Sequence, residues 1–153
     1  MTVRPTMRVY LDNCTWNRSF DDPTHLRIRI WSEATLYIQE QIQAGQLELV
    51  GSFILDFEND QNPFVERQRA IKKWRNVATI DIDETATLLE TAKRLAKQGL
   101  ATKDALHVAS AIEGQAEYFL TTDDKILRKL SNLNEIKVID PVTFIKIFEV
   151  YDN

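Results

Sequence analysis

Residues 7–12 read MRVYLD, a short apolar, partly β-branched and aromatic run that ends abruptly on a carboxylate. A run of that length without alternation suits a strand buried on both faces of a parallel sheet. Asp12 then lies just beyond the strand's carboxyl end. Working outward, Leu26, Ile30, Ala34, Ile38 and Ile42 recur every four residues, so the spacing predicts a helix over 25–44 that Gly45 closes. Residues 46–50 (QLELV) alternate as a second strand, and Ser52 is placed to start a short helix running through Glu58. Pro63 opens a predicted helix over 63–75, followed by a strand at 77–82. Ala86, Leu89, Ala92 and Ala96 define a helix over 84–98 that ends at Gly99, and Thr102 is placed to cap another over 103–114. The chain closes with a strand at 118–121 (YFLT), a helix at 124–131, a strand at 136–139 (IKVI) and a helix after Pro141. Strands alternating with helices imply an α/β fold, a central, mostly parallel β-sheet flanked by helices.

The 153 residues are enough for one domain with a full hydrophobic core, and no linker-like or repeated segment divides positions 1–153. The chain carries 44% hydrophobic and 27% charged residues, a globular composition, and no apolar run approaches the ~18 residues of a membrane span. A lone cysteine, Cys14, excludes a disulfide framework and, with no apolar leader, points to the cytoplasm. Two histidines, His25 and His107, are too few with it for a Cys/His zinc centre. The net charge of −4 argues against bulk electrostatic attraction to nucleic acid, unless clustered acids hold a divalent cation that reverses the local sign.

In parallel sheets, ligands sit beyond the carboxyl ends of the strands, so acids at those ends are the ones that matter. Asp12 follows the first strand, Glu58 ends the short helix after the second, and Asp123 follows YFLT. Asp104 occupies the first turn of the helix at 103–114. Four converging carboxylates repel one another unless a hard cation such as Mg²⁺ offsets them. Helix capping is the plainer alternative for Asp12 and Asp104.

The segments YLDNCTWNRSFDD, GSFILDFEND, ATKDALHVASA and AEYFLTTDDKIL, in that order, resemble the four acidic motifs of the PIN-domain family, including its VapC-like toxins. The similarity runs from residue 8 to about 147. It implies a PIN-like fold and a metal-dependent endoribonuclease that holds Mg²⁺ or Mn²⁺ on Asp12, Glu58, Asp104 and Asp123, with Asp124 as the off-register alternative to Asp123. It also implies RNA as substrate, a cognate antitoxin if the chain is a toxin, and a homodimer as a common family assembly. The alternative is a catalytically inactive PIN-fold binding or assembly module. Where many relatives have Asp-Thr-Asn or Asp-Ser-Ser, this chain has Asp12, Asn13 and Cys14, so Thr15 supplies the hydroxyl for a metal-bound phosphate or nothing does.

Cys14 reads as a small buried hydrophobe, and His107 as a packed helix residue rather than a base. Trp74, set among basic residues, is a candidate for stacking on a base. Arg18 is a candidate phosphate ligand, and so, from the basic segment 66–75 (ERQRAIKKWR), are Lys72, Lys73 and Arg75.

Overall fold

The run that stops at Asp12 is the middle strand of the sheet. A computed structural model describes residues 6–152. Among them five strands, β1 (Met7–Leu11), β2 (Leu47–Ser52), β3 (Ile80–Ile82), β4 (Tyr118–Leu120) and β5 (Lys137–Ile139), form one sheet in the order β3-β2-β1-β4-β5. Every pairing is parallel, with Val9 opposite both Leu49 and Tyr118. The sheet is thus entirely, not just mostly, parallel.

The helices are α1 (Asn13–Asn17), α2 (Leu26–Gln43), α3 (Phe53–Asp60), α4 (Val65–Lys73), α5 (Ala86–Ala96), α6 (Thr102–Glu113), α7 (Asp124–Lys129) and α8 (Pro141–Asp152). Alternation along the central strands divides the core. Val9, Leu11 and Leu49 pack with Ile38 and Ile42 of α2 and with Phe144 and Phe148 of α8. Tyr10, Val50 and Phe119 pack on the other side with Leu88 and Leu95 of α5 and Ala105, Val108 and Ala109 of α6. Burial on both faces explains why these strands show no polar alternation.

Strand order fixes where a ligand can enter. The chain builds from β1 outward through β2 to β3, then returns so that β4 pairs with the other side of β1. At such a reversal the flanking connections leave in opposite directions, and a crevice opens beyond the carboxyl ends of the two strands. Here those strands are β1 and β4, and the backbone N–H of Asp12 donates to Leu120 O across the opening at 3.0 Å.

The departures from the sequence reading are local. The five-residue helix α1 starts directly after Asp12, where no helix is expected from periodicity. Pro63 precedes α4, which begins at Val65 and tightens into a 3₁₀ turn over Trp74–Val77. Thr102 lies inside α6, whose N-cap is Ala101 without a side-chain cap. Gly45 follows α2 with a φ of 77°, the left-handed position that favours glycine at a helix end.

At Gly114, the end of α6, the helix and sheet approach so closely that a Cβ would lie 2.7 Å from Val50 Cγ1. Val50 is fully buried in the central layer and has no room to yield. Gly114→Ala is therefore expected to lower stability by about 1–3 kcal/mol, the usual cost of overpacking a core. Denaturant titration of parent and variant checks this, and equal midpoints would contradict the close helix–sheet contact.

Candidate active site

Asp12 sits on the floor of the crevice, 5% exposed. Its Oδ1 accepts the backbone N–H of Asn13 at 2.8 Å, so it caps α1. Its Oδ2 accepts the Thr121 hydroxyl at 2.8 Å and the Cys14 thiol at 3.3 Å. The cap and the site are therefore one side chain: α1 forms because Asp12 satisfies its first N–H, and that helix start fixes the carboxylate. Burial, and then the charge of Asp12, push the Cys14 thiol up to about 11, so it remains a protonated donor rather than a nucleophile.

Glu58, near the end of α3, has both oxygens engaged. Oε1 contacts His107 Nε2 at 2.7 Å, and Oε2 accepts from Asn13 Nδ2 at 3.0 Å. Burial alone raises its carboxyl, but the hydrogen bond from His107, with Lys103 and Asn13, holds it below the ordinary glutamate range. Asp123 caps α7, accepting from the N–H groups of Lys125 at 2.9 Å and Ile126 at 3.4 Å. Asp104 is raised by burial first, then by the charges of Asp12 and Asp123 and, to a lesser extent, Glu58. The four acids thus share one electrostatic neighbourhood. Asp124 turns outward, 60% exposed at its side chain, and pairs with Arg27 at 2.6 Å.

Among the described residues, no three His, Cys, Asp or Glu side chains stand close enough to enclose a metal ion by themselves. Mg²⁺ does not need such a cage, since it keeps several waters and binds through one or two carboxylates plus phosphate oxygens. The donors around the crevice are carboxylates, and burial together with the charges of Asp12, Asp123 and Glu58 raises Asp104. This donor chemistry fits Mg²⁺ or Mn²⁺.

Comparison with known families matches the PIN domain over residues 9–133. The chain belongs to the PIN-domain family. Its members are in general nucleases, typically dependent on a divalent metal. Comparison with curated proteins gives no match. Solved structures share the fold at low identity. VapBC-1 from nontypeable Haemophilus influenzae is 18% identical with a TM-score of 0.55, covering 89% of this chain and 99% of that one. FitAcB from Neisseria gonorrhoeae is 10% identical, with a TM-score of 0.55 and coverages of 88% and 98%. DNA-bound VapBC from Salmonella typhimurium is 13% identical, with a TM-score of 0.53 and coverages of 89% and 99%.

Several basic residues of this PIN domain are paired with acids of the chain itself. Arg75 bridges Asp56 and Asp81, at 2.8 Å to each. With Lys72 it lines a separate crevice that touches none of the four acids. Trp74 packs against the buried Trp16, centroids 5.3 Å apart, so it is a core-edge residue and not a free stacking platform. Arg18 is committed to Asp21 at 2.7 Å and to the Thr122 hydroxyl at 3.0 Å. Thr15 donates to Leu120 O at 3.1 Å and is fully buried, so it cannot reach a phosphate. Two groups the sequence reading left out of the site belong to its surroundings: Asn13 and His107, both bonded to Glu58. His107 stands three residues after Asp104 on α6, a spacing that puts both on one helix face.

Because Asp104 is raised in the folded protein, its ionisation opposes folding. The penalty is fully present at neutral pH and is relieved as pH falls through the raised value towards the unfolded range near about 4. In EDTA at pH 7, Asp104→Asn should melt above the parent, and the gap should close as pH is lowered. Melting curves across pH 4–7.5 check this, and a mutant that melts lower at pH 7 contradicts the crowding.

Proposed function

We propose that this chain is a metal-dependent endoribonuclease that hydrolyses RNA phosphodiester bonds at the crevice beyond β1 and β4. The observation that carries the reading is the placement of Asp12, Asp123, Glu58 and Asp104 around the reversal point of a parallel sheet, where burial first and then the charges of the other three raise the Asp104 carboxyl. Such a cluster costs stability and is useful when a cation is drawn to it. A bound Mg²⁺ or Mn²⁺ would activate a water and stabilise the leaving oxygen. Asp12, Glu58, Asp104 and Asp123 would hold that ion, in part through the waters it keeps. Thr121 and Asn13 keep the Asp12 and Glu58 carboxylates aimed by hydrogen bonds.

A groove of about 280 Å³ leads away from Glu58, between Asn13, Asn17, Gln61 and Asn62, to Phe64 and Arg67. Its amide side chains offer donors and acceptors for base edges. Phe64, 56% exposed, offers a stacking face with the Arg67 guanidinium 4.4 Å from its ring centroid. A single strand lying there would bring a phosphate to the acids. The similar structures named above are those of VapBC and FitAcB proteins. On that basis a toxin role with a cognate antitoxin is part of the proposal, as are a homodimer and a cytoplasmic setting. Among the described residues no helix is long and apolar enough to cross a membrane.

Cleavage of single-stranded RNA should require Mg²⁺ or Mn²⁺, stop in EDTA, and fall by more than about 100-fold in Asp12→Asn, beyond what loss of a supporting contact costs. Mn²⁺ should also raise the parent's Tm more than the variant's. Undiminished cleavage in EDTA overturns the mechanism, and equal metal-induced shifts favour the inactive binding module.

If RNA follows the groove, Phe64→Ala should weaken binding and Arg67→Glu should flatten its salt dependence by about 0.7 in log–log slope per lost phosphate contact. Lys72→Glu, on the other crevice, combined with Lys73→Glu in the last turn of α4, should change the slope less. The reverse ranking places the strand on α4's last turn.

A further inference from the structure

Behind Glu58 a chain of hydrogen bonds runs into the core and returns to the start of the same helix. Ser52 Oγ caps α3, accepting the Leu55 N–H at 3.2 Å. The Ser52 hydroxyl lies 2.7 Å from the Tyr10 hydroxyl, which lies 2.6 Å from His107 Nδ1. His107 Nε2 lies 2.7 Å from Glu58 Oε1. Ser52, Tyr10 and His107 are each no more than 1% exposed, so these groups must satisfy one another.

The two ends set the direction. A backbone N–H can only donate, so Ser52 accepts from Leu55 and has its own proton to give. An ionised carboxylate can only accept, so His107 donates through Nε2. In a neutral imidazole the other nitrogen is then a bare acceptor, filled by the Tyr10 O–H, whose oxygen accepts from Ser52. A phenol keeps its proton at neutral pH, so Tyr10 is a donor. Every proton points towards Glu58, and each link polarises the next.

We propose that Ser52, Tyr10 and His107 form a one-directional relay that locks His107 in its Nε2–H tautomer and makes it the positioning residue for Glu58. Resting on the metal-site reading above, this gives the buried histidine a role that packing alone does not require. Oε1 is pinned by His107 and Oε2 by Asn13, yet each oxygen keeps a second lone pair free for a cation. The relay begins and ends on α3, so the helix's own first turn helps to aim the carboxylate near its last. Supporting hydrogen bonds of this kind change metal affinity by about 10–100-fold when removed.

The test uses the full chain with His25→Gln, which leaves His107 as the one imidazole, and reads its ring nitrogens by ¹H–¹⁵N NMR without metal. The parent should show a protonated Nε2 and a bare Nδ1. Tyr10→Phe retains the ring stacked on Phe119 at 5.3 Å but removes the donor to Nδ1. It should give mixed tautomers and bind Mn²⁺ about 10-fold more weakly. His107→Gln, whose amide can still donate to Glu58, should keep more Mn²⁺ affinity than His107→Leu, and this pair decides the matter if Tyr10→Phe does not fold. A parent with the opposite tautomer, or Tyr10→Phe with unchanged tautomer and affinity, overturns the relay while leaving the metal site standing. A parent that binds no Mn²⁺ overturns the metal-site reading, and with it the relay's role toward the cation, whatever the tautomer.

Discussion

Like charges in a confined, partly dehydrated crevice repel, and four carboxylates meet that condition where β1 and β4 end. The surrounding structure answers each of them differently. Asp12 spends its charge on the first N–H of α1 and on Thr121, and Asp123 spends its own on the first turn of α7. Glu58 is held by His107 and Asn13 strongly enough to outweigh its burial. On Asp104, burial and neighbouring charge dominate, so the remaining repulsion is concentrated there. The proposed cation would relieve this one strained member.

The sheet's connectivity makes that arrangement available. Because β4 returns to the far side of β1, the loops after both strands open beside one another, and Asp12 and Asp123, 111 positions apart, share a rim. Two of those acids double as helix caps. A residue that caps a helix is fixed to within the geometry of one hydrogen bond, which is the precision a ligand-binding carboxylate needs. The helix-cap and metal-site readings of Asp12 are therefore not competitors.

Much of this was legible in the sequence because the strongest signals are local. Apolar runs end at carboxylates, Gly45 and Gly99 close helices, and the ordered acidic motifs resemble a family. What escaped depends on contacts between distant elements. Helix α1 has no periodicity of its own and exists because Asp12 caps it. Thr15 reads as a rim hydroxyl, but the turn of α1 aims it at Leu120 O. Arg75 reads as a free cation because Asp56 and Asp81 meet it only once β2, β3 and α3 are assembled. His107 looks like packing because its partners, Tyr10 and Glu58, lie 97 and 49 residues away.

The same distances explain why core and site cannot be separated in this molecule. The extended backbone of β1 continues through Asp12, so Tyr10 and Asp12 lie two residues and about 6–7 Å apart. On α6, His107 and Asp104 are three residues apart and about 5–6 Å between side-chain origins. Strand and helix therefore present matched pairs, each with a core-side polar group and a rim-side acid. Tyr10 meets His107 inside, and Asp12 faces Asp104 outside. His107 Nε2, 4.0 Å from Asp12 Oδ1, marks where the inner pair gives way to the outer one. A shift of α6 along β1 would break the inner hydrogen bonds and move Asp104 off the crevice together. The packing that excludes water from the core is thus the same packing that sets the spacing of the acids.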